Sequence, residues 1–344
     1  MADNLKIGLI GAGRNTRDRH IPGFQKLDNV EITGVANRSI ASGSIVAEQF
    51  GIPNVYANWQ ELLADPTIDA VCIGTWPYMH STITVNALES GKHVLCEARM
   101  ATTADDAYQM LAASKENPNL VSQIVPSPLS FKIDNLVSGL VNNGYIGKLL
   151  AIHVESLGTN FIDCDAPLHW RNERRYSGYN ILNMGIWYEA MIRWVGHAQS
   201  VSAMATINVS ARKNESDEYT GITIPDHVDI LARLANGAQA RLSFSSVTGH
   251  SEGNSVFIYG SEGTIKIDNG LNVYAGKRSD PGLTLIENPT DSQAYWRVEE
   301  EFVNAIRGIE PVTRTPFEIG VHYMEFTEAV TRSWQTGQEI NLPL

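Results

Sequence analysis

Leu5-Lys6-Ile7-Gly8-Leu9-Ile10-Gly11-Ala12-Gly13-Arg14-Asn15-Thr16, LKIGLIGAGRNT, decides the fold. An apolar run of strand length ends on Gly-Ala-Gly, and a helical pattern opens directly behind it. Such a turn lets the backbone approach a pyrophosphate closely and aims the amides of a helix N-terminus at it. The third glycine of the G-x-G-x-x-G pattern is replaced by Thr16, so the motif rests on its context: a strand before, a helix after, and a second strand one βαβ unit on.

That context extends over the first third of the chain. VEITGVAN (Val30 to Asn37), IDAVCIG (Ile68 to Gly74), HVLCE (His93 to Glu97) and LVSQIV (Leu120 to Val125) are continuous apolar strands. WQELLAD, HSTITVNALESG and TADDAYQMLAASKEN between them have helical patterns, with Gly91 as a helix stop and Thr102 or Thr103 as a helix start. Strands apolar on both faces and separated by helices predict a doubly wound parallel sheet. The second strand ends at Ala36-Asn37-Arg38-Ser39. An acidic residue there would hold an adenosine ribose. Asn37 and Arg38 instead leave room and charge for a 2′-phosphate, which favours NADP over NAD, unless Arg38 is only a solvated loop residue.

From about Pro126 the pattern changes. After one more helix (FKIDNLVSGLVNNG), alternating runs predict a large, mostly antiparallel sheet: LLAIHVESLG, SVSAMATINVSAR, DHVDILARLANGAQARLSFSSV and NSVFIYGSEGTIKID. RVEEEFVNAIRG and HYMEFTEAVTRSWQTG are helical. The expected division is a dinucleotide-binding domain over 1–125 and a substrate and oligomerisation domain over 126–344, whose terminal helix can pack back on the first. An exposed sheet of this kind suggests a homodimer or homotetramer.

The 344 residues are 43% hydrophobic, ample for two cores, and carry a formal net charge of −12. That balance argues against nucleic acid and membrane surfaces, which need a basic face. No apolar run approaches the ~20 residues of a membrane helix, and no basic-then-apolar leader begins the chain. Cys72, Cys96 and Cys164 lack metal-type spacing, so a cytoplasmic protein with reduced thiols and no metal is expected.

GAGRNTR, ANRS, GTWPYMH, ALESGKHVLCEARMA and the late IYGSEGTIKID hairpin together make the chain resemble the Gfo/Idh/MocA family, relatives of glucose-fructose oxidoreductase and inositol dehydrogenase. The likeness covers nearly the whole chain. It implies a Rossmann domain, a second α/β domain with an open sheet, tightly held NAD or NADP, and a sugar-like or cyclic polyol substrate. On that resemblance Gly11, Gly13, Arg14, Asn15, Thr16, Asn37, Arg38, Thr75, Trp76, His80 and Glu97 are the candidate cofactor contacts, with Glu97 at the nicotinamide end.

The chain departs from the family where protons move. The family's Glu-Lys-Pro is Glu97-Ala98-Arg99 here, so the Lys is gone. The family's Asp-x-Gly-x-His-x-x-Asp is Asn183-Met184-Gly185-Ile186-Trp187-Tyr188-Glu189-Ala190, with only Gly185 in common. Hydride transfer with an alcohol still needs a group for the hydroxyl proton. The catalytic candidates are therefore Arg99, His169 and Tyr188, and the substrate-binding candidates are Arg171, Tyr179, Asn183 and Trp187. Arg99 suits a carboxylate or phosphate better than a proton, because guanidinium keeps its charge. Arg171, Arg174 and Arg175 add to an anion-binding reading; the alternative is that Arg99 pairs with Glu97 or Glu189 and the loop arginines are solvated or at a subunit contact. Three functions stay open: an NADP-dependent dehydrogenase or reductase on a sugar acid or sugar phosphate; a non-redox lyase or hydrolase that uses bound nucleotide; and a binding or sensor protein.

Overall fold

The computed structural model describes residues 4–344, and the chain divides into two compact units, Met1–Pro126 with Arg297–Val321, and Ser127–Trp296 with His322–Leu344. In the first, six strands form a wholly parallel sheet: β1 (Leu5–Ile10), β2 (Val30–Ala36), β3 (Asn54–Tyr56), β4 (Ala70–Ile73), β5 (His93–Cys96) and β6 (Ser122–Ile124). Their order is β3-β2-β1-β4-β5-β6, so the winding reverses between β1 and β4. Ligands of open α/β sheets bind at that switch point, outside the carboxyl ends of the strands.

The strands are apolar on both faces because helices cover both. Ile7, Leu9, Val71, Cys72, Val94 and Leu95 are fully buried. Each such aliphatic side chain contributes about 1.5–3 kcal/mol by leaving water. The helices Ile40–Phe50, Trp59–Ala64 and Ala104–Glu116 start on side-chain caps, each worth about 1 kcal/mol. Asn58 Oδ1 accepts from Glu61 N at 2.9 Å, and Thr103 Oγ1 accepts from Asp106 N at 3.0 Å, so the start before ADD falls on Thr103. Late residues complete this unit: Ile124 N donates to Thr315 O at 3.0 Å, and Gln123 Nε2 donates to the buried Glu301 at 3.0 Å.

The second unit is built on a nine-stranded mixed sheet. Its strands are β7 (Leu149–Leu157), β8 (Ala198–Thr206), β11 (His227–Leu234), β12 (Gln239–Ser245), β13 (Asn254–Gly260), β14 (Gly263–Ile267), β15 (Val273–Lys277), β16 (Thr284–Leu285) and β17 (Ile340–Asn341). A separate two-stranded hairpin pairs β9 (Ala211–Lys213) with β10 (Tyr219–Gly221). Only β7 and β12 run parallel; every other neighbouring pair in the large sheet is antiparallel. Alternation sorts the two faces: Val228, Ile230, Leu242, Phe244, Val256 and Ile258 are buried, whereas Leu231 is 62% and Met204 77% exposed on the other side. The helix Met184–Val195 buries Met184, Trp187, Tyr188, Met191 and Trp194.

Candidate nucleotide-binding site

The glycine turn lies at the carboxyl end of β1. Gly11 has φ +84°, and a Cβ there would stand 2.7 Å from the backbone nitrogen of Thr75, so a side chain is excluded on both counts. Gly11 N donates to Ala36 O at 2.8 Å and Gly13 N to Gly11 O at 2.9 Å. A helix then runs over residues 14–24, π-wound at Thr16–His20. Its first amides have no carbonyl of their own to meet, and they form the anion-facing end of the turn. Thr16 fills the third glycine position because its hydroxyl turns inward and donates to Gly11 O at 3.2 Å.

Asn37 fastens the turn to β2. Its Oδ1 accepts from Ala12 N at 2.7 Å and its Nδ2 donates to Ser42 O at 3.1 Å, so both ends of the side chain are spent on protein. The sequence pattern, in which Asn37 leaves room for a 2′-phosphate, does not show this structural role, which depends on a residue 25 positions away. Arg38 is exposed, as is Arg14, which pairs with Asp18 at 3.3 Å. Thr75 Oγ1 is buried and has no hydrogen-bond partner in the structure. An orphaned hydroxyl beside Gly11, at a turn that admits no Cβ at Gly11 itself, fits a dinucleotide. Trp76, 42% exposed, stands next in the chain.

Beyond β5 the buried polar groups concentrate. His20, fully buried, points Nε2 at Glu97 Oε1 (2.9 Å) and Nδ1 at Glu299 Oε1 (2.5 Å). Asn15 Nδ2 also donates to Glu97 Oε1, and Ala98 N donates to Oε2 at 3.1 Å. Burial works against a charged His20, but the two carboxylates outweigh it and push its pKa up to about 9. Burial would raise the Glu97 pKa; His20 and Asn15 overcome that and hold it below the usual carboxylate range. Glu97 thus accepts three hydrogen bonds and, with its lowered pKa, is a weak base. His80 bridges the loops after β4 and β5, with Nε2 2.9 Å from Thr75 O and Nδ1 2.7 Å from Arg99 O, and burial lowers its pKa.

The remaining candidates lie in the second unit. Tyr188 is buried, its ring stacked on Phe326 at 3.7 Å and its hydroxyl accepting from Ala198 N at 2.8 Å; burial raises its pKa. These are the contacts of a core residue. His169 accepts from Arg171 N on Nδ1 at 3.2 Å and caps the turn Trp170–Asn172, and burial together with Arg171 lowers its pKa. Its basic nitrogen is occupied by that cap. The loop arginines each lie over an aromatic ring: Arg171 on Trp170 (4.4 Å), Arg174 on Tyr179 (5.2 Å) and Arg175 on Tyr176 (4.4 Å). Asn183 Nδ2 donates to Ser156 Oγ at 2.6 Å, and the buried Trp187 indole N–H has no hydrogen-bond partner. Asp163 closes a local turn onto Asp165 N and Ala166 N. Among the described residues no three His, Cys, Asp or Glu side chains gather as metal ligands, and no helix is long and apolar enough to cross a membrane.

A parallel sheet with this strand order, glycine turn and helix defines a dinucleotide-binding protein of the Rossmann class. Comparison with known proteins goes one step further. Residues 5–124 match the model of an oxidoreductase family with an NAD-binding Rossmann fold, and residues 136–266 match the GFO/IDH/MocA C-terminal domain, so the chain belongs to the Gfo/Idh/MocA oxidoreductases. The 1,5-anhydro-D-fructose reductase of Ensifer adhaerens is 27% identical, with 96% of each chain covered. Levoglucosan dehydrogenase of Pseudarthrobacter phenanthrenivorans is 26% identical over 76% of this chain and 73% of its own. A structure of levoglucosan dehydrogenase with NADH and levoglucosan shares the fold, at TM-score 0.85 and 21% identity over 99% of this chain and 100% of that one.

Proposed function

We propose that the protein transfers hydride between NADP(H) and a sugar-like substrate that carries an anionic group, a sugar acid or sugar phosphate. The observation that carries the nucleotide part is the Gly11 turn, stapled through Ala12 to Asn37, with an unpartnered Thr75 hydroxyl beside it. Gly11, Gly13 and the first turn of the helix over residues 14–24 would hold the pyrophosphate. Arg38, exposed at the carboxyl end of β2, would take the 2′-phosphate. The nicotinamide, when bound, supplies or accepts the hydride. Relatives that act on levoglucosan and 1,5-anhydro-D-fructose support the sugar-like class.

Arg99 is assigned to the substrate anion, because a guanidinium gives two parallel donors and does not release its proton. Ala98 and Trp187 cannot accept the hydroxyl proton. His169 becomes a base only when Nδ1 is released from the Arg171 amide. Two measurements test these roles. Arg38→Ala should weaken NADP+ binding about tenfold, ~1.4 kcal/mol, and leave NAD+ within about twofold; equal loss of both would remove Arg38 from phosphate recognition. Arg99→Ala should raise KM for a sugar acid by roughly 10–100-fold with nucleotide affinity unchanged, as expected for a charge-assisted pair. Equal weakening of nucleotide and substrate would rule out the anion role.

A further inference from the structure

We infer that His20 is a buried imidazolium that positions the nucleotide-binding helix by holding Glu97 and Glu299 at once. Two ionised carboxylates on opposite ring nitrogens favour two donors, where the carbonyl oxygens around His80 carry no charge to hold a second proton. One ring nitrogen faces Glu97 and the other faces Glu299, at 2.9 and 2.5 Å, and carboxylates only accept. A neutral imidazole has one N–H, so one of its nitrogens would present a lone pair to a carboxylate oxygen. Three segments meet at this ring: the helix over residues 14–24, the chain just after β5, and the helix Val298–Ile306. Their contact is tight by construction, since a Cβ on Gly23 would fall 2.6 Å from the Glu299 carboxylate.

The consequence for nucleotide binding follows from where Glu97 is gripped. Asn15, in the first turn of the helix, and His20, in its second, both donate to Glu97 Oε1. These two points fix the direction in which the first amides of that helix face. Loss of the His20 proton removes one donor, sets a lone pair against a carboxylate and loosens the clip from the inside. Two carboxylates bear directly on the ring, Glu97 from the chain after β5 and Glu299 from the helix Val298–Ile306. Cys72 and Cys96 are neutral thiols kept so by burial, and His80 acts on Glu97 only at longer range. The imidazolium also gives the fold an alkaline limit. A pKa raised to about 9 from the ordinary 6.5 means that this contribution is complete below about pH 6.5 and is lost as pH rises through about 9.

The inference rests on the chain binding a nicotinamide nucleotide at this turn, so the test has one arm that needs no nucleotide. In the nucleotide-free protein, ¹⁵N NMR of the His20 ring should show both nitrogens protonated from pH 6 to 8, with the transition near 9. In a calorimetric titration with NADH, wild-type affinity should be flat from pH 6 to 8 and fall about tenfold between pH 8 and 10. His20→Gln should bind about tenfold more weakly at pH 7 and show no step at 9. Glu299→Gln accepts a neutral ring on a donor and acceptor pair, so it should keep the pH 7 affinity and lose the alkaline step. A neutral His20 at pH 7 would overturn the inference. So would an imidazolium whose loss leaves NADH affinity unmoved, or an alkaline step that persists in His20→Gln.

Discussion

Gly11→Val is expected to abolish measurable nucleotide binding, with a loss of at least a hundredfold, or about 3 kcal/mol. Two independent costs combine. The residue sits at φ +84°, where an L side chain is strained, and its Cβ would press within 2.7 Å of the Thr75 backbone nitrogen. The turn can relieve the clash only by moving away from Thr75, which also disturbs the Gly11–Ala36 hydrogen bond and the amides behind it. Calorimetric titration with NAD+ and NADH measures the effect, and circular dichroism of the same variant reports whether the sheet is retained. Binding within tenfold of wild type would show that the pyrophosphate does not approach this backbone.

Arg193→Ala should produce the largest loss of stability, about 3–5 kcal/mol, as expected when one partner is removed from a buried ion pair. Arg193 Nη1 lies 2.6 Å from Glu189 and its Nε 3.1 Å from Asp134, the latter close but poorly aligned, and all three side chains are largely buried. Removing the cation leaves two carboxylates in a dry interior. Burial already pushes the Glu189 pKa upward, against Arg193, and without the cation it rises further. The penalty should therefore shrink as pH falls and Glu189 takes a proton. A Tm lower by roughly 10 °C at neutral pH is expected for a unit of this size. Glu189→Gln in the same background should restore part of it. A Tm within about 2 °C of wild type would mean that water or a relaxed packing compensates the charges.

The fold was legible in the sequence because its signals are local. Strand runs apolar on both faces, the Gly11 turn, Gly91 and the Thr103 cap each act within a few residues, and the parallel sheet follows from their alternation with helices. In the second unit the same holds for the IYGSEGTIKID hairpin, whose turn falls between β13 and β14. The site was less legible, for two physical reasons. Its decisive contacts join distant residues: His20 meets Glu299 279 positions away, and Ala12 meets Asn37 25 away. Residue type alone also does not say whether a polar group is free. His169 uses its basic nitrogen on the next turn, and the loop arginines lie over neighbouring rings, contacts that leave no pattern in composition. Among the candidates, Glu97 was proposed from the family resemblance, and its three hydrogen bonds from Asn15, His20 and Ala98 N could be seen only in three dimensions.

A fluorescence titration of the purified protein, stripped of any bound nucleotide, with NAD+, NADH, NADP+ and NADPH tests the central claim most directly. The account predicts saturable binding of one nucleotide per chain, tighter for the phosphorylated pair, with Trp76 as a reporter beside the turn. No saturable binding of any of the four would contradict it.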